Sequence, residues 1–174
     1  KMSNLKFLTI GKMYTSAGGA VITGSQVTTG VTLSAGGRLG ELVKGPNSYF
    51  DVKLKWADTG EESNRMKLYS LDGEPLKLPL QSPFEGEHLD LAHQQLDPGY
   101  VLLLSWWLTT EFSTALNSLT CANNPGMVGE LDSWGKFKTP DAHAEVFKQL
   151  TDNLKTSEVT EVDFSSCGIG PVAL

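Results

Sequence analysis

Hydrophobic and charged residues alternate along residues 49–58, and this period of two constrains the fold more than any other feature of the sequence. The apolar positions are Phe50, Val52, Leu54 and Trp56. Charged residues fill the positions between them. Because successive side chains of a β-strand point to opposite faces of a sheet, the segment predicts a strand with one buried and one solvated face.

A second alternating segment covers residues 100–112 and follows an Asp-Pro-Gly turn. Large apolar residues occupy both phases of its first half, so it predicts a central strand that is covered on both sides where it begins. In such a strand Trp106 and Trp107 point to opposite faces. Trp107 then shares its face with Glu111, where the strand becomes polar, and Tyr100 lies on the other face.

Turn residues divide the first eighty residues into short segments. Strands rich in Thr and Val, with glycine-rich turns between them, are predicted at 5–14, 20–23 and 30–34. Asp72-Gly73 separates the segments 67–71 and 74–78, which predicts a tight hairpin because both turn residues then adopt positive φ. Pro75 has no N–H group to donate, so its strand should lie at a sheet edge.

One α-helix is predicted at about residues 140–155. Thr139 can cap it, and Pro140 suits its first position. Its apolar stripe consists of Val146, Phe147, Leu150 and Leu154. A last strand is expected at 158–164, whereas residues 86–96 fit either a short helix or a strand followed by a turn.

These patterns predict a mainly β fold, namely an antiparallel β-sandwich or jelly-roll-like domain with one packed α-helix. With 174 residues, 40% of them hydrophobic, and no long linker, the chain is expected to form a single domain over residues 1–174. No apolar stretch reaches the roughly 20 residues that cross a bilayer, so no membrane insertion is expected. The first residue is Lys1 rather than Met, which suggests processing or a fragment of a longer protein.

The formal net charge of −6 argues against nucleic acid or an anionic membrane as the partner, because both require a basic surface. No run of Lys and Arg marks such a surface in the sequence. Few histidines and strands rich in Thr, Ser and Gly suit a capsid or other surface protein. The composition therefore favours a virion surface or an extracellular location over the cytoplasm.

Cys121 and Cys167 are the two cysteines of the chain, which is too few for a disulfide-based scaffold. If they pair, the bridge joins positions 46 residues apart. On the chain-entropy model such a bridge stabilises the fold by about 4 kcal/mol. Two separate, reduced and partly buried thiols are the alternative.

The three histidines form no recognisable catalytic or metal-binding pattern. His88 and His93 are five residues apart, a spacing that separates them on a helix and puts them on opposite faces of a strand. His143 lies in the first turn of the predicted helix, where a positive charge is disfavoured. We therefore expect no metal site and no cofactor.

Aromatic side chains are the remaining candidates for a binding surface. Trp134 lies in a loop-like Asp-Ser-Trp-Gly-Lys context that buries a large ring poorly. An exposed Trp can stack on a sugar ring or form a hot spot for another protein. Trp134, Trp107 and Tyr100 are therefore predicted to form a ligand or partner surface. The alternative is that Trp134 and Trp107 cover the ends of the core.

The leading functional hypothesis is a non-enzymatic binding or assembly domain, such as a capsid or surface-protein domain that binds a protein partner or associates with itself. A carbohydrate-binding module with a glycan ligand is the first alternative. The second is a hydrolase assembled from dispersed residues, with His88, Asp90 or His143 as the base and a cysteine within reach.

Overall fold

The computed structural model describes residues 4–134 and 137–173, and these form a mainly β, sandwich-like fold with 32% strand and 20% helix. The strands are β1 Phe7–Thr15, β2 Val21–Ile22, β3 Thr32–Ala35, β4 Arg38–Lys44, β5 Asp51–Trp56, β6 Met66–Lys67, β7 Gly73–Pro79, β8 His88–Asp90, β9 Ser118–Thr120, β10 Glu130–Leu131, β11 Phe137–Thr139 and β12 Glu161–Asp163. The α-helices are α1 Pro98–Trp107 and α2 Ala144–Leu154. The predicted fold class is confirmed.

The strands form several small sheets, one of which curls into a half-barrel. Their orders are β2-β1-β7, β3-β4-β5-β6, β8-β9-β12 and β10-β11. Three of these sheets are antiparallel, as expected. The β8-β9-β12 sheet is parallel, which differs from the antiparallel prediction.

The alternating segment at 49–58 is confirmed as β5, with Val52 and Leu54 at most 1% exposed. The strands predicted in the first forty residues correspond to β1, β2 and β3. Gly36 and Gly37, both with positive φ, make the turn from β3 to β4.

The predicted central strand at 100–112 is wrong, because its first half is the helix α1. The Asp97 carboxylate accepts a 3.0 Å hydrogen bond from the Tyr100 N–H group, and Pro98 takes the first helical position. Apolar residues fill both strand phases of 100–108, so the alternation could not distinguish a strand from a buried helix. The side chain of Asn153 in α2 donates to the Ser105 carbonyl at 3.0 Å and fastens the two helices together.

The predicted hairpin at Asp72-Gly73 is also wrong, because β7 pairs with β1 rather than with residues 67–71. The Asp72 carboxylate instead holds the β3–β4 turn, where it accepts hydrogen bonds from the Ser34 hydroxyl and two glycine N–H groups at 2.6–2.9 Å. Those three bonds outweigh burial and lower the pKa of Asp72. Pro75 does lie in an edge strand, as expected.

The predicted helix at 140–155 is confirmed as α2, but it begins at Ala144 rather than at Pro140. Asp141 adopts a φ of 57°, and its carboxylate accepts hydrogen bonds from Gly170 and Val172, so Pro140 and Asp141 form a turn against the C-terminal segment. Thr139 belongs to β11 and does not cap the helix. The ambiguous segment 86–96 contains the short strand β8 followed by turns.

Two clusters of buried hydrophobic residues form the core of the described chain. The first cluster joins α1 and α2 to β1, β7, β8 and β9, and Trp107 lies within it. The second cluster lies beneath β3, β4 and β5 and includes Phe50 and Leu68. The surface is indented where the clusters meet, and aromatic side chains line that indentation.

Candidate functional site

An aromatic groove of about 410 Å³ lies where the two clusters meet, with Phe50 of the second cluster and Leu96 of the first in its walls. Its aromatic walls are completed by Tyr49, Tyr69 and Trp134. Polar side chains of Ser48, Lys67, Gln95 and Ser133 line it as well. The groove therefore combines flat rings with hydrogen-bonding groups, the combination typical of small-molecule sites.

Two rings of the groove are open to solvent. Trp134 is 83% exposed and Tyr69 is 57% exposed. The Trp134 N–H group donates to the Asp132 carboxylate at 2.9 Å, which fixes a turn that directs the ring outward. The alternative in which Trp134 covers an end of the core is therefore wrong, and the ring is available to a ligand.

Three residues beside the groove have a left-handed backbone that non-glycine residues rarely adopt. Phe50, His93 and Gln95 have φ values of 57–58°. His93 lines a smaller cavity of about 110 Å³ that shares Phe50, Tyr69 and Gln95 with the groove. Such backbone conformations cost on the order of 1 kcal/mol each and concentrate at functional sites. The surrounding structure holds this wall in one shape.

Two amide side chains, one of them fully buried, hold the 91–96 segment that forms one wall. Asn124 is fully buried; its amide donates to the Leu91 carbonyl at 2.8 Å and its Oδ1 accepts from the Leu96 N–H group at 3.1 Å. The Gln94 side chain makes a paired contact with the backbone of Lys12, accepting at 2.6 Å and donating at 2.8 Å. The wall is therefore fastened to both β1 and the loop after β9.

The His93 imidazole is the polar group of this wall that has no partner. Its Nδ1 atom is buried and makes no hydrogen bond within the described residues. Burial lowers the pKa of His93, and the nearby Asp90 charge opposes that shift only in part. The ring packs edge-on against Phe50 at 6.5 Å, and the lowered pKa favours the neutral imidazole.

Trp107 and Tyr100 do not belong to this site. Trp107 is completely buried, its Nε1 donates to the Pro79 carbonyl at 2.9 Å, and its ring meets Phe84 edge-on, so its prediction as part of a partner surface is wrong. Tyr100 is 38% exposed on α1, outside the groove lining. Beside it on the outer face of α1 lie Leu102, Leu103 and Trp106.

Both cysteines are free, buried thiols, so of the two alternatives left open by the sequence the structure has the reduced pair rather than the disulfide. The Cys167 Sγ donates to the Cys121 carbonyl at 3.0 Å. Burial raises the pKa of Cys167 to about 11 and that of Cys121 well above its ordinary value. Neither thiol therefore supplies a reactive thiolate at neutral pH.

The residues of the hydrolase hypothesis have separate partners. His88 Nδ1 lies 2.9 Å from the Ser118 hydroxyl, and His143 precedes α2. The Asp90 carboxylate accepts from the N–H groups of Ser25 at 3.1 Å and Ala92 at 2.9 Å, and none of its hydrogen-bond partners in the described chain is a histidine. Among residues 4–134 and 137–173 no group of three His, Cys, Asp or Glu side chains could hold a metal ion.

Most of the groove was not found from the sequence. Tyr69 lies in the segment that predicts a hairpin, and Tyr49 lies at the start of a predicted strand. Tyr69 lies in a short 3-10 helix, Leu68–Ser70, rather than in a strand, and no sequence signal brings Gln95 beside it. No helix within the described ranges is long and apolar enough to cross a membrane. Comparison with protein-family models, with curated proteins and with solved structures finds no match to this chain.

Proposed function

We propose that this protein is a non-enzymatic binding domain whose aromatic groove takes a carbohydrate ligand. The observation that carries the proposal is the pair of exposed rings, Trp134 at 83% and Tyr69 at 57%, in the walls of one groove. A sugar ring offers an apolar face that stacks on such rings and hydroxyl groups that bind polar side chains. The groove volume of about 410 Å³ suits one or a few sugar units.

The polar groups of the groove support the same ligand class. The Gln95 amide can both donate to and accept from sugar hydroxyls. The Lys67 ammonium is held by the Asp51 carboxylate and the Tyr49 carbonyl, both at 2.8 Å, so its remaining hydrogen has a fixed direction. A donor that is already positioned loses little conformational entropy when the ligand binds.

A glycan array followed by calorimetric titration of the best binder tests the proposal. Trp134→Ala should weaken binding about 10-fold, because a stacked ring contributes about 0.5–1.5 kcal/mol beyond the apolar area that it buries. Trp106→Ala is the matched control, since Trp106 is an exposed Trp outside the groove, and it should leave the affinity unchanged. An array without a binder, or equal effects of the two substitutions, would contradict the proposal.

Self-association through the outer face of α1 is the second candidate. Four side chains there, Tyr100, Leu102, Leu103 and Trp106, are each 38–41% exposed, and α1 contains no charged residue. An acidic chain repels its own copies, so an uncharged apolar patch is where two copies approach most favourably. A role in a capsid or at a cell surface stays a prediction.

Sedimentation velocity at increasing protein concentration tests this second candidate. Wild-type protein should associate weakly, because four side chains that are each only 38–41% exposed offer less area than the ~800 Å² per partner of a standard interface. Leu103→Glu should abolish the association, whereas Tyr69→Glu should not. A wild-type protein that stays monomeric at millimolar concentration excludes it.

A further inference from the structure

Three cations form a row across the four-stranded sheet, on the face opposite the buried Val52 and Leu54 side chains. Lys44 of β4 is the direct register partner of Lys53 of β5. Arg65 lies just before β6, next to the Val52–Met66 pair, and so extends the row to the third strand. These residues, here named the cationic row, line a pocket of about 410 Å³.

The Lys44–Lys53 pair is unfavourable in the free protein. Like charges placed directly opposite each other on neighbouring strands destabilise a sheet. The same two strands avoid this elsewhere, since Glu41 faces Lys55. An irregularity between Leu42 and Lys44 skips one residue of β4, so that Lys44 stands opposite Lys53. Bulges of this kind re-aim side chains, often beside binding sites.

The carboxylates near the row do not neutralise it. Asp51 is paired with Lys67 at 2.8 Å and lies 3.8 Å from Arg65, and Glu62 pairs with Lys53 at 3.3 Å. The Lys44 ammonium has no ion-pair partner among the described residues. Four cations therefore face two carboxylates, a local excess of positive charge in a chain whose net charge is −6.

At the back of the pocket the main chain at Gly45 lies so close to the main chain of β5 that only glycine fits. Gly45 has a φ of 90°, and a Cβ atom there would lie 2.1 Å from the Asp51 carbonyl oxygen. The Asn47 side chain accepts from the Tyr49 and Asp51 N–H groups, both at 2.9 Å, and holds the 45–51 segment against β5. The concave pocket and its cations are thus built by one segment.

We propose that the cationic row binds an oxyanion, namely a sulfate, phosphate or carboxylate group. An anion between Lys44 and Lys53 turns their repulsion into two attractions, and the planar guanidinium of Arg65 can add paired hydrogen bonds. Different residues line this site and the aromatic groove. The site would hold the charged group of a ligand in one place, because Lys44 and Lys53 lie on neighbouring strands and Arg65 lies just before the next strand.

NMR titration of the intact chain with sodium sulfate, sodium phosphate and sodium acetate, at ionic strength balanced with sodium chloride, tests the proposal. Saturable shifts of the amides of Lys44, Gly45 and Lys53 are expected with at least one of these anions. Tighter binding of sulfate or phosphate identifies a tetrahedral group as the ligand, and tighter binding of acetate identifies a carboxylate. The absence of saturation with all three anions would overturn the site.

The substitutions separate a built site from general attraction. Lys44→Gln and Lys53→Gln should each weaken the preferred anion at least 5-fold. Lys55→Gln removes the same charge from the same face of β5, opposite Glu41, and should change the affinity less than 2-fold. An equal loss in Lys55→Gln refutes the proposal. Trp134→Ala should leave anion binding unchanged, so a failure of the carbohydrate proposal stays distinguishable from a failure of this one.

Discussion

Replacing Asn124 with alanine should destabilise the protein more than its small change in volume suggests. Asn124 is 0% exposed, and its side chain satisfies the Leu96 N–H group and the carbonyls of Leu91 and Cys121 at 2.7–3.1 Å. In the variant the Cys121 carbonyl still accepts a hydrogen bond from the Cys167 thiol. The Leu96 N–H group and the Leu91 carbonyl are therefore the two buried groups that lose the partner that Asn124 provides. At about 1–3 kcal/mol for each of these two unsatisfied groups, the free energy of unfolding should fall by roughly 2–6 kcal/mol.

Urea unfolding, followed by circular dichroism and by tryptophan fluorescence, measures this loss. The matched control is Asn64→Ala, because Asn64 is exposed and its substitution should change the unfolding free energy by no more than about 0.5 kcal/mol. Since Leu91 and Leu96 bound the segment that forms one wall of the groove, Asn124→Ala should also weaken any glycan bound there. A loss of less than about 1 kcal/mol would show that these bonds contribute little, or that water replaces them.

Three further predictions concern residues that shape the two sites. Burial opposes ionisation of Asp90, but the hydrogen bonds to its carboxylate outweigh burial and lower the pKa of Asp90 in the folded protein. The ionised carboxylate therefore stabilises the fold above the unfolded pKa of about 3.9, and this stabilisation is lost as the pH falls through the lower folded pKa. Acid titration of the unfolding free energy should accordingly be flatter for Asp90→Asn than for wild type below pH 4, and parallel curves would contradict this. Gly45→Ala should lower the unfolding free energy by at least about 2 kcal/mol in urea denaturation, because alanine meets both a φ of 90° and the Asp51 carbonyl; an unchanged midpoint would refute the close approach. Lys44→Glu should raise the melting temperature slightly at low salt and lose that gain at high salt, since it replaces the repulsion with Lys53 by an attraction; a lower melting temperature at low salt would show that the two lysines do not repel.

The sequence predicted strands well where charged residues marked the solvent-facing phase. In 49–58 the charged residues marked the solvent-facing positions, and the predicted strand corresponds to β5. In 100–108 no charge marks either phase, so strand and helix patterns fitted equally well, and α1 was missed. The Asp97-Pro98 pair is a helix-start signal, because Asp can cap a helix and Pro suits its first position, but Asp-Pro-Gly is also typical of a turn.

Both candidate sites lie beyond what local patterns can reveal. The groove draws its walls from separate segments near residues 49, 69, 95 and 134, and only the packing of the two core clusters brings them together. The cationic row depends on a register set by one irregularity after Leu42, since a regular ladder would place Val43 opposite Lys53. Trp134 could be found because a large ring among turn residues is a local signal.

Residues 47–51 contribute both to the walls of the groove and to the pocket of the cationic row, so a ligand that carries a charged group could contact both. Tyr49 and Phe50 face the groove, whereas Asn47 and Asp51 line the pocket of the row. Lys67 lines the groove, and the Asp51 carboxylate offsets its positive charge. The excess positive charge therefore lies on the cationic row. The two surfaces therefore differ in chemistry: the groove suits an apolar ring face and its hydroxyls, and the row suits an anionic substituent. We accordingly expect an acidic sugar to bind more tightly than its neutral analogue, and Lys53→Gln to remove that difference while Trp134→Ala weakens both ligands.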